Sequence, residues 1–284
     1  MKTIKTAVIP SAGLGLRLVP ATNQQPKEML PVFAKDQKGR ICTKPIIQLV
    51  FERLYDAGFR EFLFVVGRRK RSIEDQFTID NDFMTQLRRV GKSQLVEDME
   101  RFYRRVRSSN IVFINQPEPL GFGEAVLRTK PYTNRNAFLV HAGDELILSN
   151  STNDCLRRLM KAFHAHEANA VFLVQRVKDP TRYGVIEGEK IGADLYRVKH
   201  IVEKPKHPKT KIAVVALYAF NQKIYDCIEK LPHRPDHELQ LTDAIEKLVQ
   251  ETDNVYALEL KTSETRIDVG TPESYWHALR ATMK

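Results

Sequence analysis

Thr6-Ala7-Val8-Ile9-Pro10-Ser11-Ala12-Gly13-Leu14-Gly15-Leu16-Arg17 opens on five residues of strand character and runs straight into a loop of small residues that ends in an arginine. Small residues let backbone N–H groups approach a phosphate chain closely, and Arg17 adds a permanent cation with forked donors. The segment therefore predicts a first sheet strand followed by a nucleotide-phosphate loop, although a simple tight turn would use similar residues. It is neither a dinucleotide fingerprint, which needs a third glycine, nor a P-loop, which needs a Gly-Lys-Ser/Thr ending.

Outward from that strand, apolar runs alternate with helix-period segments. Ile46, Leu49, Val50, Leu54 and Ala57 mark one helix face, closed by Gly58 and followed at once by a strand over residues 61–66. Charged helices are expected over about 70–107. Next come a strand at 111–115, a short helix from Gly123, a strand at 137–142, a helix near 152–167 and a strand at 170–177. This alternation predicts an α/β fold whose N-terminal half is doubly wound, a mostly parallel sheet with helices on both faces. From Tyr183 the rhythm changes to strand pieces at 184–187, 196–203 and 212–220, read as antiparallel additions. Helices follow near 221–230 and 241–251, then a strand at 255–260 and a closing helix from Pro272. With no repeat, low-complexity tract or linker, residues 1–284 are expected to form a single domain.

The chain has 284 residues, 42% hydrophobic and 28% charged, a globular composition. A chain of that size can bury about three quarters of its unfolded surface, so a substantial core is available. Its longest apolar run, residues 212–221 between Lys211 and Lys223, falls short of the roughly 18 residues a membrane span needs, and the short apolar run after Lys5 lacks a secretory core. A cytoplasmic location is expected. Cys42, Cys155 and Cys227 fit neither a disulfide framework nor a zinc spacing and are read as packing residues. The net charge of +10 admits polyanionic partners, with nucleic acid disfavoured because no recognition module appears. The mixed charges over residues 68–107 are read as solvated helix faces.

The loop continues as Pro20-Ala21-Thr22-Asn23-Gln24-Gln25-Pro26-Lys27-Glu28-Met29-Leu30-Pro31, where Lys27 can reach the same anion as Arg17. Here the chain resembles the sugar nucleotidyltransferases, whose mark is a Gly-x-Gly-x-Arg loop followed by Pro-Lys. Pro-Lys-Glu-Met-Leu-Pro is most similar to the bacterial-type UTP:glucose-1-phosphate uridylyltransferases, or UDP-glucose pyrophosphorylases. Further motifs extend the likeness in order: Lys44-Pro45-Ile46-Ile47-Gln48, Gln116-Pro117-Glu118-Pro119-Leu120-Gly121, Gly143-Asp144-Glu145, Tyr183-Gly184-Val185, Val202-Glu203-Lys204-Pro205, Glu238-Leu239-Gln240-Leu241-Thr242-Asp243 and Asp268-Val269-Gly270.

The resemblance implies a Rossmann-like fold of the glycosyltransferase-A type, its nucleotide half covering about 1–145 and its sugar-binding and oligomerisation half about 146–284. It implies transfer of a uridylyl group from UTP to glucose 1-phosphate, giving UDP-glucose and pyrophosphate, in a homodimer or homotetramer. Because a sugar phosphate brings its own ionised oxygen, attack on the α-phosphorus needs no general base, only two anions held in line with their charge neutralised. Arg17, Lys27 and Lys204 are the expected catalytic cations, with Lys204 also on the sugar side. Ala12, Gly13, Gly15, Gln116 and Gly121 are expected around the nucleotide, Gly184 and Glu203 around the sugar, and Asp144 with Asp268 at Mg²⁺. Gly184 is expected to let backbone pass close to the sugar ring.

Three departures stand out. Leu16 replaces a small hydroxyl residue, Glu124 stands where His or Gln is usual, and residues 33–43 are extra, with Asp36-Gln37-Lys38-Gly39 predicting a hairpin turn. The rival enzyme is a thymidylyltransferase, which reads a base differing by one methyl group, a difference worth only about 1–3 kcal/mol, so use of dTTP is an alternative. A catalytically silent homologue is a further one, against which the full set of cations argues.

Overall fold

The computed structural model describes residues 4–36, 38–133, 136–149, 151, 153–232 and 238–283. Strands β1 (Thr6–Pro10), β4 (Glu61–Gly67), β5 (Asn110–Gln116) and β6 (Phe138–His141) lie parallel in the order β5-β4-β1-β6. Each residue of β1 is buried, and alternate side chains serve opposite faces. Ala7 and Ile9 join Phe62, Phe64 and Val66 of β4 in one core, whereas Val8 joins Leu63 and Val65 in the other.

Helices α1 (Ile46–Asp56), α4 (Ser93–Arg107) and α6 (Asp154–Ala165) bury their apolar stripes in the first core. Phe51, Phe62, Phe64, Phe77 and Phe102 pack there with ring centroids 4.6–6.0 Å apart. Helices α5 (Phe122–Leu127), α7 (Lys223–Glu229) and α8 (Leu241–Glu251) cover the other face, where Phe138 and Tyr225 stack at 4.9 Å. Burying a Phe side chain contributes about 1.5–3 kcal/mol, so the two faces hold the sheet between them. The charged stretch 70–107 forms α2 (Arg71–Gln76), α3 (Asn81–Arg89) and α4, whose inward faces carry Ile73, Met84, Val96 and Phe102.

Beyond β6 the sheet departs from the expected winding. β8 (Ala170–Arg176) does not extend the parallel half, because β11 (Ile212–Phe220) lies between β6 and β8, antiparallel to both. The physical reason is composition: Ile-Ala-Val-Val-Ala-Leu-Tyr-Ala-Phe is apolar throughout, which suits a strand covered on both faces and not one at an edge. β12 (Val255–Glu259) then runs parallel to β8, and β10 (Leu195–Glu203) and β9 (Gly184–Lys190) close the sheet as antiparallel additions. The result is the anticipated mixed α/β sheet, nine strands in one layer among the described residues.

The extra residues form the hairpin read from the sequence, β2 (Pro31–Lys35) against β3 (Ile41–Pro45). Asp36 Oδ1 accepts from the N–H groups of Lys38 and Arg40, and Gly39 takes the left-handed φ of 75° that the turn needs; Gln37 lies outside the described residues. Helix α9 (Pro272–Thr282) docks on it, with the Tyr275 hydroxyl donating to the Pro31 carbonyl and the Phe33 N–H to the Thr282 hydroxyl. Cys155 and Cys227 are buried as packing residues, while Cys42 on the hairpin is only half-buried. A ribbon of β7 (Glu145–Ser149) and β13 (Glu264–Asp268), absent from the sequence reading, pairs segments far apart in the chain. Among the described residues no helix is long and apolar enough to cross a membrane.

Candidate functional site

Three of the four parallel strands deliver a site residue or segment at their C-terminal ends, the edge where open α/β sheets take ligands. β1 leads into residues 11–17, β5 ends on Gln116, and β6 is followed two residues later by Gly143 and Asp144. The loop after β1 is anchored by the Ser11 N–H on the Val65 carbonyl (2.8 Å) and by the Thr22 hydroxyl on the Gly15 carbonyl (2.7 Å). Gly15 sits at φ 67° and starts a 3-10 turn over Leu16–Leu18. Between the anchors, the N–H groups of Ala12, Gly13, Leu14 and Gly15 donate to no described residue. Four adjacent donors without an acceptor are what an anionic ligand would meet. They line a cavity of about 450 Å³ together with Arg17, Lys27, Gln116 and Gly121, so the nucleotide-side residues named from the sequence converge.

Lys27 opens a 3-10 turn after Pro26, and its Nζ lies 2.6 Å from Asp144 Oδ2, each side chain 17% exposed. Burial alone pulls the Lys27 ammonium down, but Asp144 and Glu28 outweigh it and hold the lysine above its ordinary value. Burial likewise pushes the Asp144 carboxyl up, and Lys27 with Arg266 overcomes it to hold that carboxyl below the usual range. Glu28 points to a second pair, its Oε2 2.8 Å from Nζ of buried Lys70. There burial wins, and the Glu28 carboxyl is pushed up despite the lysine. The sequence reading missed this pair. Its one sequence signal is an acidic residue set directly before apolar Met29 and Leu30.

On the other side, Glu203 ends β10 opposite Gly184, the first residue of β9. Its Oε2 accepts from the Thr242 hydroxyl at 2.6 Å, and Lys204 Nζ is 3.2 Å from its Oε1. Lys204 holds a left-handed φ of 42° and donates its N–H to the Tyr183 carbonyl at 3.0 Å, a conformation that is costly for a lysine and common at ligand sites. The space freed at Gly184 is filled from within. A Cβ there would lie 3.0 Å from Thr242 Cγ2 and 3.2 Å from Glu203 Oε2, so the glycine makes room for the Glu203–Thr242 pair. Gly121 likewise answers to the protein: at φ 109° its Cβ would lie 2.6 Å from the Leu239 carbonyl oxygen.

Gly184, Glu203 and Lys204 line a second cavity of about 420 Å³. Arg17, Asp144 and Phe122 line both cavities, so the two adjoin at a cation and a carboxylate. Asp268 enters the second cavity from the end of β13, in register with Glu145. Between them lies Arg266, which the sequence reading missed. It grips Glu145 with Nε (2.9 Å) and Nη2, reaches Asp268 with Nη1 (3.4 Å), and lies 5.3 Å over the Tyr183 ring. Gly270 leaves space beside Asp268 for Arg17, whose Nη2 would be 3.3 Å from an added Cβ. β11 supports this wall through a bulge between Val215 and Tyr218, where the Ala216 N–H leaves the ladder and donates to Glu145 Oε2 at 3.2 Å. Among the described residues no three metal-ligating side chains cluster. Asp144 and Asp268 are instead two carboxylates on one cavity wall, each beside a cation.

A family model described as nucleotidyl transferase matches residues 6–284. The chain is 36% identical over 251 residues to a UTP--glucose-1-phosphate uridylyltransferase, YngB, of Bacillus subtilis strain 168, covering 87% of this chain and 80% of that protein. It is similar in fold to a UTP-bound UGPase from Acinetobacter baumannii, with a TM-score of 0.85, 30% identity, and 98% and 93% of the two chains covered. It is also similar to a UDP-glucose pyrophosphorylase solved in complex with UDP-glucose, with a TM-score of 0.83, 26% identity and 99% of each chain covered. With the match running from β1 through α9, the chain belongs to the nucleotidyl transferase family.

Proposed function

We propose that this chain transfers a uridylyl group from UTP to glucose 1-phosphate, releasing pyrophosphate and forming UDP-glucose. The observation that carries the reading is the meeting of two cavities at Arg17 and Asp144. One offers free backbone donors and Lys27, and the other offers Glu203 beside Lys204. Two phosphates drawn to those cations come together at the shared boundary.

In this reading the N–H groups of residues 12–15 cradle the triphosphate, and Arg17 and Lys27 take up the charge that grows on the departing pyrophosphate. Lys204 holds the sugar phosphate in line, and the Glu203 carboxylate, fixed by Thr242, accepts from sugar hydroxyls. Gln116 reads the base edge. Catalysis rests on positioning and charge, with no covalent intermediate.

Asp144 and Asp268 are the residues proposed to hold Mg²⁺. The donor set fits: Mg²⁺ takes hard oxygens, and one or two carboxylates suffice where substrate phosphates complete its shell. Bound there, the ion would neutralise phosphate oxygens. Lys27 would then exchange Asp144 for a phosphate oxygen. The proposal extends to a cytoplasmic homodimer or homotetramer built from single-domain chains.

Pyrophosphate release measured with UTP and glucose 1-phosphate tests the reading. Turnover is expected with Mg²⁺ and its loss with chelator. Absence of release with UTP, when dTTP or another sugar phosphate supports it, would transfer the assignment to that pair.

A further inference from the structure

Lys27, Lys70, Arg105, Arg158 and Arg266 are largely buried, and each faces a carboxylate: Asp144, Glu28, Asp56, Glu264 and Glu145 respectively. Arg53, mostly buried in the last turn of α1, differs, because no carboxylate of a described residue lies within salt-bridge distance of it. Burial pulls its guanidinium below the ordinary value with no acid opposing. Arg158 and Arg266 are pulled the same way, yet their carboxylates raise both. The carbonyl end of α1 offsets only part of the charge. Among the described residues the Arg53 guanidinium makes one hydrogen bond, from Nη1 to the Ile147 carbonyl of β7.

That guanidinium borders a cavity of about 30 Å³ between α1, β7 and the start of α6, which shares no lining residue with either substrate cavity. Leu54, Leu146, Leu156 and Leu217 make much of its wall apolar, and no carboxylate lines it among the described residues. Its polar side chains still have donors to give. The Ser149 hydroxyl accepts from the Ser151 N–H and keeps its own hydrogen, and the Asn153 amide spends one hydrogen on the Arg53 carbonyl and keeps the other. His141 holds the Ala142 carbonyl with Nδ1, and burial keeps the ring neutral, so it adds no second charge.

We propose that this cavity binds one small monovalent anion, chloride in kind, seated on the Arg53 guanidinium as the counter-ion that no described side chain supplies. A water molecule can solvate the guanidinium but carries no charge, and a cation walled by apolar side chains is costly until a counter-ion joins it. The volume is about that of one water in the liquid, which admits a halide and is too small for a phosphate. Bound there, the anion would tie the end of α1 to β7 and α6 behind the Asp144–Glu145 turn. The inference does not depend on the uridylyl-transfer reading.

Two measurements on the unaltered chain test it. Crystals grown in sodium bromide are expected to show an anomalous peak in the cavity, at hydrogen-bond distance from the guanidinium. Tm in sodium chloride is expected to exceed Tm in sodium gluconate of equal ionic strength by about 2–4 °C, since an ion that binds only the folded chain stabilises it. Arg53→Met keeps the apolar stem, removes the charge, and should bring that difference below about 1 °C. Bromide crystals with water alone in the cavity overturn the inference. A bromide peak without any chloride effect on Tm marks an adventitious ion only and overturns it as well. So does a chloride effect of undiminished size in Arg53→Met, which would place the bound ions elsewhere on a chain of net charge +10. Should Arg53→Met not fold, the two measurements on the unaltered chain decide without it.

Discussion

The nucleotide rim and the sugar rim are built from opposite materials. The first is mostly backbone: four N–H groups on a glycine-bearing loop, presented by one strand end and left without internal partners. The second is mostly side chain: Glu203, Thr242, Glu145, Arg266 and Asp268 come from four elements and are already hydrogen-bonded or ion-paired among themselves. Backbone donors suit a phosphate chain, which is alike in every nucleotide, while a preassembled side-chain lattice suits a ligand whose hydroxyls must be told apart. The lesson is that generality and selectivity are placed at different levels of the same chain.

The comparison breaks most sharply where the rims meet. Lys27→Ala removes the buried cation and leaves the Asp144 carboxylate beside the phosphates, so kcat for pyrophosphate release is expected to drop by about 10²–10³. A loss of only a few fold would mean that the two rims do not share this residue.

Gly121→Ala tests whether the nucleotide rim needs its backbone held from outside. The left-handed φ and the 2.6 Å approach to Leu239 leave no space for a methyl group. The variant is expected to lose about 2–3 kcal/mol in denaturant unfolding, and an unchanged midpoint would show that residues 238–239 move aside freely.

The sugar rim is sharpened by Thr242→Val, which deletes the 2.6 Å bond to Glu203 while nearly keeping shape. Loss of one hydrogen bond to a charged group costs about 1.5–3 kcal/mol. KM for glucose 1-phosphate should rise roughly tenfold, with KM for UTP within twofold of its starting value. Equal rises for both substrates would erase the division between the rims.

The smallest effect concerns pH. The Asp144 carboxyl is held below the usual range in the folded chain, so its ionisation adds stability that is complete above the unfolded value near pH 4 and is lost as pH falls through the depressed folded value. Asp144→Asn should therefore lower Tm at pH 7, with the gap to the unaltered chain narrowing steadily toward pH 3. A constant gap would place the effect in packing and not in charge.

What could be read in advance follows the same division. The residue 11–17 loop, the hairpin at β2 and β3 and the emergence of Asp144 beyond an apolar strand all depend on neighbours in sequence, and short-range pattern carried them. Arg266 was not legible. In Glu-Thr-Arg-Ile-Asp it looks like any exposed strand cation, and only pairing across 121 residues with Glu145 makes it a buried one. The β7–β13 ribbon and the place of β11 were hidden for that reason too, since a strand's own residues encode how much burial it needs but not which partner supplies it. The room Gly184 leaves for Glu203 was not legible either, because the two become neighbours only when β9 and β10 pair.

The central position of β11 bears on how the polypeptide can be made and cut. Residues 212–220 supply the link between β6 and β8, so a nascent chain emerging from the ribosome carries two bare strand edges until about three quarters of it has been synthesised. Open edges of that kind recruit other chains. Truncation before residue 212 thus yields material prone to aggregate, and the nucleotide-binding portion cannot be harvested as an autonomous fragment.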